Sequence, residues 1–517
     1  IFLTAVVIIL FMAFIFEVNK KELYKLKKKL EFIISLPGAS IFSSLIDSLR
    51  IAYNYKELIN CIDAVIKKYG NLTRFIIGTD IFVVLAKPED YKLVLTNING
   101  NYKTSVTQPW EALLGEGIIR ASGASHKLRR KIIHSLMNTK YLSEYITYFD
   151  SCSNLCTDIL EKNVDGPMFD LGPYIAQYVF NIFLVTTVGS QGITHKDRLE
   201  ILHKQKEYVN LIASLSLVFN SIICNCCRLF KDAYSKLLKP WLRLNWIFSF
   251  TKNRKQMCIA QKTVLDFIYN ISPRQSGNNI VLQYNNYNKT IFKPIFNNYY
   301  DRIEQIRANV SNKSCDVSDE NILDDMRNYF AAIQNTITEA TSFIMLMLAK
   351  YTDVQEKLRQ EILVTFNNND KIDAERLLSM RYIYMVSQET LRLFPVVPII
   401  SRQVTEDIKL ESYTLPEGCY VMIPIFAIHR NPMHWYKPLE FIPERFSSTH
   451  HRYTFIPFGL GLRDCVGQKY AFLFMATIIV NLLRRFRFVT VGDLNDIKTT
   501  TDIVLRPQHV KMSISRI

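Results

Sequence analysis

The stretch that most constrains this chain is Phe458-Gly459-Leu460-Gly461-Leu462-Arg463-Asp464-Cys465-Val466-Gly467, followed at once by an apolar run with helical spacing from Tyr470 to Leu483. Its cysteine lies in a glycine-punctuated turn, two residues after a cation and just before a helix. Helix-terminal amides and the Arg463 guanidinium both favour the thiolate there. A thiolate facing a large pocket is one of the ways a protein ligates haem iron. Gly459 and Gly461 let backbone approach a flat ligand closely, and Phe458 can pack against it. A bare Cys-x-Gly would read as a small buried hydrophobe, the commoner fate of a free cysteine.

The whole pattern, Phe-Gly-x-Gly-x-Arg-x-Cys-x-Gly, resembles the haem-binding loop of the cytochrome P-450 (haem-thiolate monooxygenase) family. The resemblance implies haem b as cofactor and Cys465 as its proximal metal ligand. It also implies that Phe458, Gly459 and Gly467 lie against the macrocycle and that Arg463 faces a propionate. The fold it implies is mainly α with a small β domain, a cytochrome P-450 fold preceded by an N-terminal transmembrane helix.

The chain's 517 residues are enough to bury a core that encloses a cofactor, and with 49% hydrophobic and 21% charged residues it is no disordered protein. Lys and Arg outnumber Asp and Glu by 63 to 47, giving +16, which suggests an acidic partner. No nucleic-acid motif accompanies the charge, so anionic lipid or an acidic protein is expected. Ten cysteines without regular spacing fit a reducing compartment better than a disulfide framework. The cluster Cys224-Asn225-Cys226-Cys227 lacks histidine partners and paired Cys-x-x-Cys spacing, and reads as structural or membrane-adjacent ahead of metal binding.

Residues Ile1 to Phe16 are apolar except for Thr4, and Lys20, Lys21, Lys25, Lys27, Lys28 and Lys29 follow. A spanning helix needs ~20 such residues, and the sequence does not open on Met. The expectation is an uncleaved anchor over residues 1–19, truncated at its start. A basic stretch and hinge over 20–50 would lead to a catalytic domain over 51–517. The positive-inside rule then places that domain in the cytoplasm, at the endoplasmic reticulum membrane by the resemblance. Tyr55 to Tyr69 has helical periodicity, and Thr73 to Leu85 reads as a β-hairpin.

The basic run His126-Lys127-Leu128-Arg129-Arg130-Lys131 has the spacing of a helix. Family members carry Trp-x-x-x-Arg here, with both side chains on a haem propionate. Arg130 matches the Arg, His126 replaces the Trp, and i, i+4 spacing keeps both on one face. Lys127 and Arg129 are expected on a solvated face that docks a partner. The apolar region Val209 to Phe250, with Lys239-Pro240-Trp241, resembles the lid region of the family 4 branch, which is insect-type and microsomal, while its apolarity alone fits plain core packing equally well. Asn278 to Asn298 reads as a surface loop or partly disordered linker.

Ser318-Asp319-Glu320-Asn321 reads as a helix cap, and Ile322 to Lys350, without Gly or Pro, as one long helix. In the family this helix carries Ala/Gly-Gly-x-Asp/Glu-Thr-Thr/Ser, which opens a groove for dioxygen and relays protons. Here the sequence is Ala332-Ile333-Gln334-Asn335-Thr336-Ile337. Thr336 is retained, the Gly has become Ile333, and the acid has become Asn335, which orients a water but does not titrate at neutral pH. Oxygen activation is then expected to be slow, uncoupled towards peroxide, or unnecessary to the reaction. Ala332 stands where many family 4 fatty-acid hydroxylases carry a Glu esterified to haem, so no covalent link through this helix is expected.

Glu389-Thr390-Leu391-Arg392 and Pro443-Glu444-Arg445-Phe446 match the family's Glu-x-x-Arg and Pro-Glu-Arg-Phe motifs. By that resemblance Glu389, Arg392 and Arg445 interlock as a structural set. Between them Pro395 to Arg402 reads as a strand-like exit. The resemblance makes Arg402 a propionate ligand and Val397, Ile399 and Ile400, with Ala332 and Ile503 of the terminal hairpin, lining of the substrate pocket. His429 reads as a structural hydrogen-bonding residue.

Together these readings imply a monooxygenase that inserts one oxygen atom from O2 into a fatty acid, lipid-derived or foreign hydrophobic substrate. Thr336 and Asn335 would stand on the oxygen side, with electrons from an NADPH-dependent cytochrome reductase or cytochrome b5. Two alternatives stay open on the sequence: a reductase-independent haem-thiolate isomerase or dehydratase of oxygenated lipids, and a non-catalytic haem- or lipid-binding paralogue.

Overall fold

The computed structural model describes residues 22–517 except 23, 54–56, 78–79, 105–109, most of 189–244, 271, 273–293, 310–316, 368–369, 449–452, 493 and 502–503. The chain forms two compact units, one from residues 1–106, 399–434 and 451–464, the other from 107–398, 435–450 and 465–517.

The first unit is built on a four-stranded sheet of β1 (Leu72–Ile77), β2 (Asp80–Leu85), β3 (Ile400–Gln403) and β4 (Tyr420–Ile423), in the order β1-β2-β4-β3. β1 and β2 form the expected hairpin, with Phe75 opposite Phe82. β4 lies parallel to β2 and antiparallel to β3, which pairs Arg402 with Val421. The strand that carries Arg402 therefore hangs on an apolar sheet. Val83, Leu85, Val421 and Ile423 are fully buried and pack with Tyr91, Val94 and Leu95 of the helix Pro88–Thr96. The expected helix before the hairpin spans Glu57–Tyr69.

Part of the basic N-terminal run is consumed inside this unit. Lys25 pairs with Glu417 at 2.7 Å and Lys28 with Asp407, while Ile33 and Leu36 enter the apolar core. His429 has the structural place assigned to it: its Nε2 accepts the Ile456 amide at 2.9 Å, and its ring packs on Phe455. Among the described residues no helix is long and apolar enough to cross a membrane, and residues 1–19 lie outside them.

The second unit is mostly helical and is centred on the helix Asp319–Lys350. Its start is a capping box: Ser318 Oγ accepts the Asn321 amide at 3.2 Å, and Asn321 Oδ1 accepts the Ser318 amide at 3.1 Å. The helices Gly172–Phe183, Arg381–Leu393 and Gln468–Arg485 pack on it. Thr139–Leu160 seals the outside of Gln468–Arg485, where the ring of Phe149 meets Tyr470 at 5.3 Å and Phe474 at 5.1 Å. The chain closes on β5 (Phe486–Val489), β6 (Thr499–Thr501), β7 (Leu505–Pro507) and β8 (Lys511–Arg516). β8 pairs with β5 and with Phe169–Asp170, and β6 with β7 as the expected terminal hairpin.

One expectation needs correction. Asn278 to Asn298 is not loop to its end, because a helix runs Ile295–Asn309. Ile295, Phe296 and Tyr299 are buried along one face of it, an apolar stripe hidden among the asparagines. The lid region and the Cys224 cluster lie outside the described residues, apart from a few positions such as the helix Asn245–Ser249.

Gly461 tests how the turn before Cys465 is built. Its φ is +76°, and a Cβ there would stand 2.1 Å from the Leu95 carbonyl oxygen. Gly461→Ala is therefore expected to lose roughly 1–3 kcal/mol of stability, read as a lower urea midpoint. An unchanged midpoint would show that the turn can move away from Leu95.

Candidate active site

In the second unit, the helix Arg381–Leu393 buries Glu389 and Arg392 completely. Arg392 grips the carboxylate with Nε at 2.7 Å and Nη2 at 2.9 Å, while Arg445 adds Nε at 2.9 Å and the Ile442 amide a fourth donor at 2.9 Å. The two guanidinium groups spend their remaining donors on the carbonyls of Tyr436, Lys437, Pro438 and Glu440. The planar fork of Arg makes this bidentate geometry possible, and Lys could not reproduce it. The segment 436–445 is thereby fastened to the helix.

Cys465 follows, exposed and outside any disulfide, three residues before the helix Gln468–Arg485. Gly467 lies beside it, and a Cβ added there would stand 4.0 Å from the sulfur. Buried Tyr470, one turn in, lies 6.3 Å from the ring of Tyr329 on the long helix. Burial first, then the neighbouring phenols and the charge of Cys465, push the Tyr329 hydroxyl well above the usual range.

The first unit gathers cations. Arg402 is 2% exposed, donates to the Ser401 carbonyl at 2.8 Å, and is pulled down to about 10 by desolvation. Arg463 donates Nε to Asn101 at 3.1 Å. Beside them Lys103 is held well below its usual value, by desolvation first and then by the charges of Arg402 and Arg463. Sequence reading missed Lys103, which belongs to no motif. Like charges crowded into a desolvated place are stabilised by an anion, and a carboxylate such as a propionate fits. Phe458 and Gly459 are partly buried in the same unit, and Gly459 has φ +77°.

The basic helix, Gly123–Leu136, corrects one assignment. His126 is buried, Arg130 partly buried and Lys127 exposed, but Arg129 is not on a solvated docking face: it is 2% exposed. Its Nη1 meets Asp325 Oδ1 at 3.0 Å and its Nη2 the Glu116 carbonyl at 3.0 Å. Asp325 also accepts from the Tyr299 hydroxyl and the Ile118 amide, each at 2.6 Å. Asp324 and Asn328, flanking it on the long helix, accept the amides of Glu116 and Ile119 at 2.7 and 2.9 Å. Gly115 has φ +53°, and a Cβ on Gly117 would stand 2.6 Å from the Asp324 carbonyl oxygen, so the loop needs glycine there. Burial pushes the Asp325 carboxyl up to about 6, against the opposing pull of Arg129, Tyr299 and Ile118.

Further along the long helix Ala332 is exposed and Thr336 partly so, one turn apart on one face, while Ile333 is buried. Thr336 Oγ1 donates to the Ala332 carbonyl at 2.7 Å, and Asn335 Nδ2 to the Ala331 carbonyl at 2.8 Å. The helix runs unbroken through this segment. Val397, Ile399 and Ile400 are partly buried, and Ile503 lies outside the described residues.

An accessible thiol before a helix and a desolvated cationic cluster are what a haem-thiolate protein requires. The chain belongs to the cytochrome P450 family, whose sequence model matches residues 49–514. Members of this family are monooxygenase oxidoreductases that bind haem through a cysteine thiolate, and non-covalent binding is the norm. The chain is similar to Cytochrome P450 4c3 of Drosophila melanogaster, 25% identical over 515 residues that cover 96% of this chain and 91% of that one. It is also similar to Cytochrome P450 4d2 of the same organism, 27% identical with 85% of each covered, and to human Cytochrome P450 4V2, 25% identical with 85% of this chain and 81% of that one covered. These similarities support the family 4 branch.

Two outcomes follow from the buried charges. Glu389→Gln leaves Arg392 and Arg445 without their counter-charge and is expected to cost about 3–5 kcal/mol, with reduced haem content in the purified protein. For Asp325 the folded carboxyl binds its proton more tightly than the unfolded one, so its stabilising contribution is present below about pH 4 and is lost as pH rises through about 6. Wild type should lose roughly 2–3 kcal/mol relative to Asp325→Asn between about pH 4 and pH 7. Parallel stability curves would contradict the burial of that charge.

Proposed function

We propose that this chain inserts one oxygen atom from dioxygen into a hydrophobic substrate, a fatty acid, lipid-derived molecule or foreign compound. Electrons would come from an NADPH-dependent reductase or cytochrome b5. The observation that carries this reading is the accessible Cys465 thiol at the start of its helix, in the same unit as the open Ala332–Thr336 face. Haem, when bound, supplies an iron centre whose thiolate ligand favours O–O cleavage.

The chain's own residues have separable roles. Cys465 holds the iron, with Gly467 leaving room beside the sulfur and Phe458 and Gly459 lying against the macrocycle. Arg130, Arg402, Arg463 and Lys103 meet propionate charge, and the His126 ring donates where family members carry an indole. Ala332 offers no carboxyl for an ester, so the group is held without a covalent link through this helix. Thr336 presents its oxygen as an acceptor towards the open face, since its hydrogen is committed to Ala332. Val397, Ile399, Ile400 and Ile503 supply apolar lining. Lys127 remains a docking residue for an acidic reductase, without Arg129.

We also place the chain at the endoplasmic reticulum membrane with its catalytic part in the cytoplasm. Support comes from the apolar run 1–16 and the lysines that follow it. Anchor, hinge and catalytic domain would divide as 1–19, 20–50 and 51–517.

A reduced carbon monoxide difference spectrum followed by a reductase-dependent oxidation screen tests ligation and activity together. Wild type should show the thiolate-ligated signature and oxidise at least one lipid or xenobiotic, and Cys465→Ser should lose both. The replacement of the acid by Asn335 favours a second reading, a reductase-independent isomerase or dehydratase. Turnover of a lipid hydroperoxide without reductase, and no oxidation with it, would select that one.

A further inference from the structure

The long helix carries a carboxylate that neither the family motif nor the roles above use. From Met326 to Lys350 the sole acidic residue in the sequence is Glu339. It stands seven residues after Ala332, four after Asn335 and three after Thr336, in a helix unbroken from Asp319 to Lys350. Positions i, i+3, i+4 and i+7 share one helix face, with ~5–6 Å between neighbouring Cβ atoms. Glu339 therefore lies on the face that leaves Ala332 exposed and Thr336 partly exposed, one turn further on. Its side chain is 16% exposed and sits 3.9 Å from Arg506 Nε of β7, a separation that orients the carboxylate without a tight bidentate grip.

The need for such a group is set by its neighbours. Thr336 has given its hydrogen to Ala332 and Asn335 an amide hydrogen to Ala331, and neither side chain titrates near neutral pH. Oxygen reduction consumes protons, so the face requires a group that can take one from solvent and release it.

We infer that Glu339 is the proton-relay carboxylate of this chain, replacing at one turn's distance the acid absent from position 335. This rests on the monooxygenase reading given above. In each cycle Glu339 accepts one proton from solvent water, passes it to a water hydrogen-bonded to Thr336 Oγ1, and returns to its carboxylate form. No electron moves at Glu339. Arg506 faces the carboxylate with its Nε at 3.9 Å.

The test uses full-chain holoenzyme with reductase and NADPH and no added substrate. It measures oxygen consumed against hydrogen peroxide released. Two protons and two electrons per oxygen give peroxide, and four of each give water, so the peroxide share reports proton delivery directly. Glu339→Gln is expected to raise that share several-fold. Adding Asn335→Asp to Glu339→Gln should bring it back, because a titratable acid is restored on the same face. Infrared titration of the resting holoenzyme should show one protonating carboxyl more in wild type than in Glu339→Gln. If Glu339→Gln does not retain haem, Glu339→Asp decides, with an intermediate peroxide share expected and an unchanged one overturning the relay. A peroxide share unchanged by Glu339→Gln, or raised but not relieved by Asn335→Asp, would overturn it as well, the latter leaving Glu339 a plain partner of Arg506. Absence of any reductase-driven oxygen consumption in wild type would overturn the monooxygenase reading along with it.

Discussion

A carboxylate at Glu389 with no exposure to water is costly, and the surrounding chain is arranged to meet that cost. Removing an ion from water carries a penalty of several kcal/mol even after relaxation. It is offset only when well-placed donors surround the carboxylate, and here four from Arg392, Arg445 and Ile442 do so, three on Oε1 and one on Oε2. The same guanidinium groups then bind the carbonyls of the segment 436–445, and Arg392 also stacks 5.1 Å from the Trp435 ring. Lys437 adopts φ +45°, an unfavourable conformation for a residue with a Cβ. Its carbonyl is held by Arg445, so the strain is sustained by the ion cluster. An irregular stretch of chain is made rigid without becoming a helix or strand.

The beginning of the long helix uses the same device. Asp324, Asp325 and Asn328 each accept a backbone amide from the loop 116–119, and Arg129 supplies the counter-charge for Asp325. Helix side chains act as hydrogen-bond partners for loop backbone that would otherwise be buried unpaired. The glycine at 117 follows from this, since the loop runs too close to the helix there for a side chain. The position of the basic helix, and of His126 and Arg130 on it, thus depends on a charge pair that touches neither residue.

What was legible in the sequence were features with fixed local spacing. Glu389 and Arg392 sit three apart on one helix, and Ser318 and Asn321 cap another. Each is set by neighbours a few residues away, or by a motif that names its partner. Arg129 was misread because a run of cations says nothing of helix phase. Its partner Asp325 is 196 residues distant, and only tertiary packing decides which of four basic side chains turns inward. Lys103 has no motif, and its depressed basicity arises first from desolvation and then from the charges of Arg402 and Arg463, which only tertiary packing brings near it. The helix at 295–309 escaped notice because asparagines flank the apolar stripe formed by Phe296, Tyr299 and Ile303.

The long helix combines the two lessons. Its family pattern places a glycine and an acid where this chain has Ile333 and Asn335, and on local grounds that reads as lost proton delivery. Helical geometry permits another solution, because a group one turn away occupies nearly the same direction in space. The hydroxyl of Thr336 and one amide hydrogen of Asn335 have turned back on their own helix, and neither group carries a proton that titrates near neutral pH. Such groups order water but cannot supply protons by themselves. The chemistry available to this chain is therefore set by whether a titratable side chain shares that face, and the helix provides one candidate, Glu339, at the next turn.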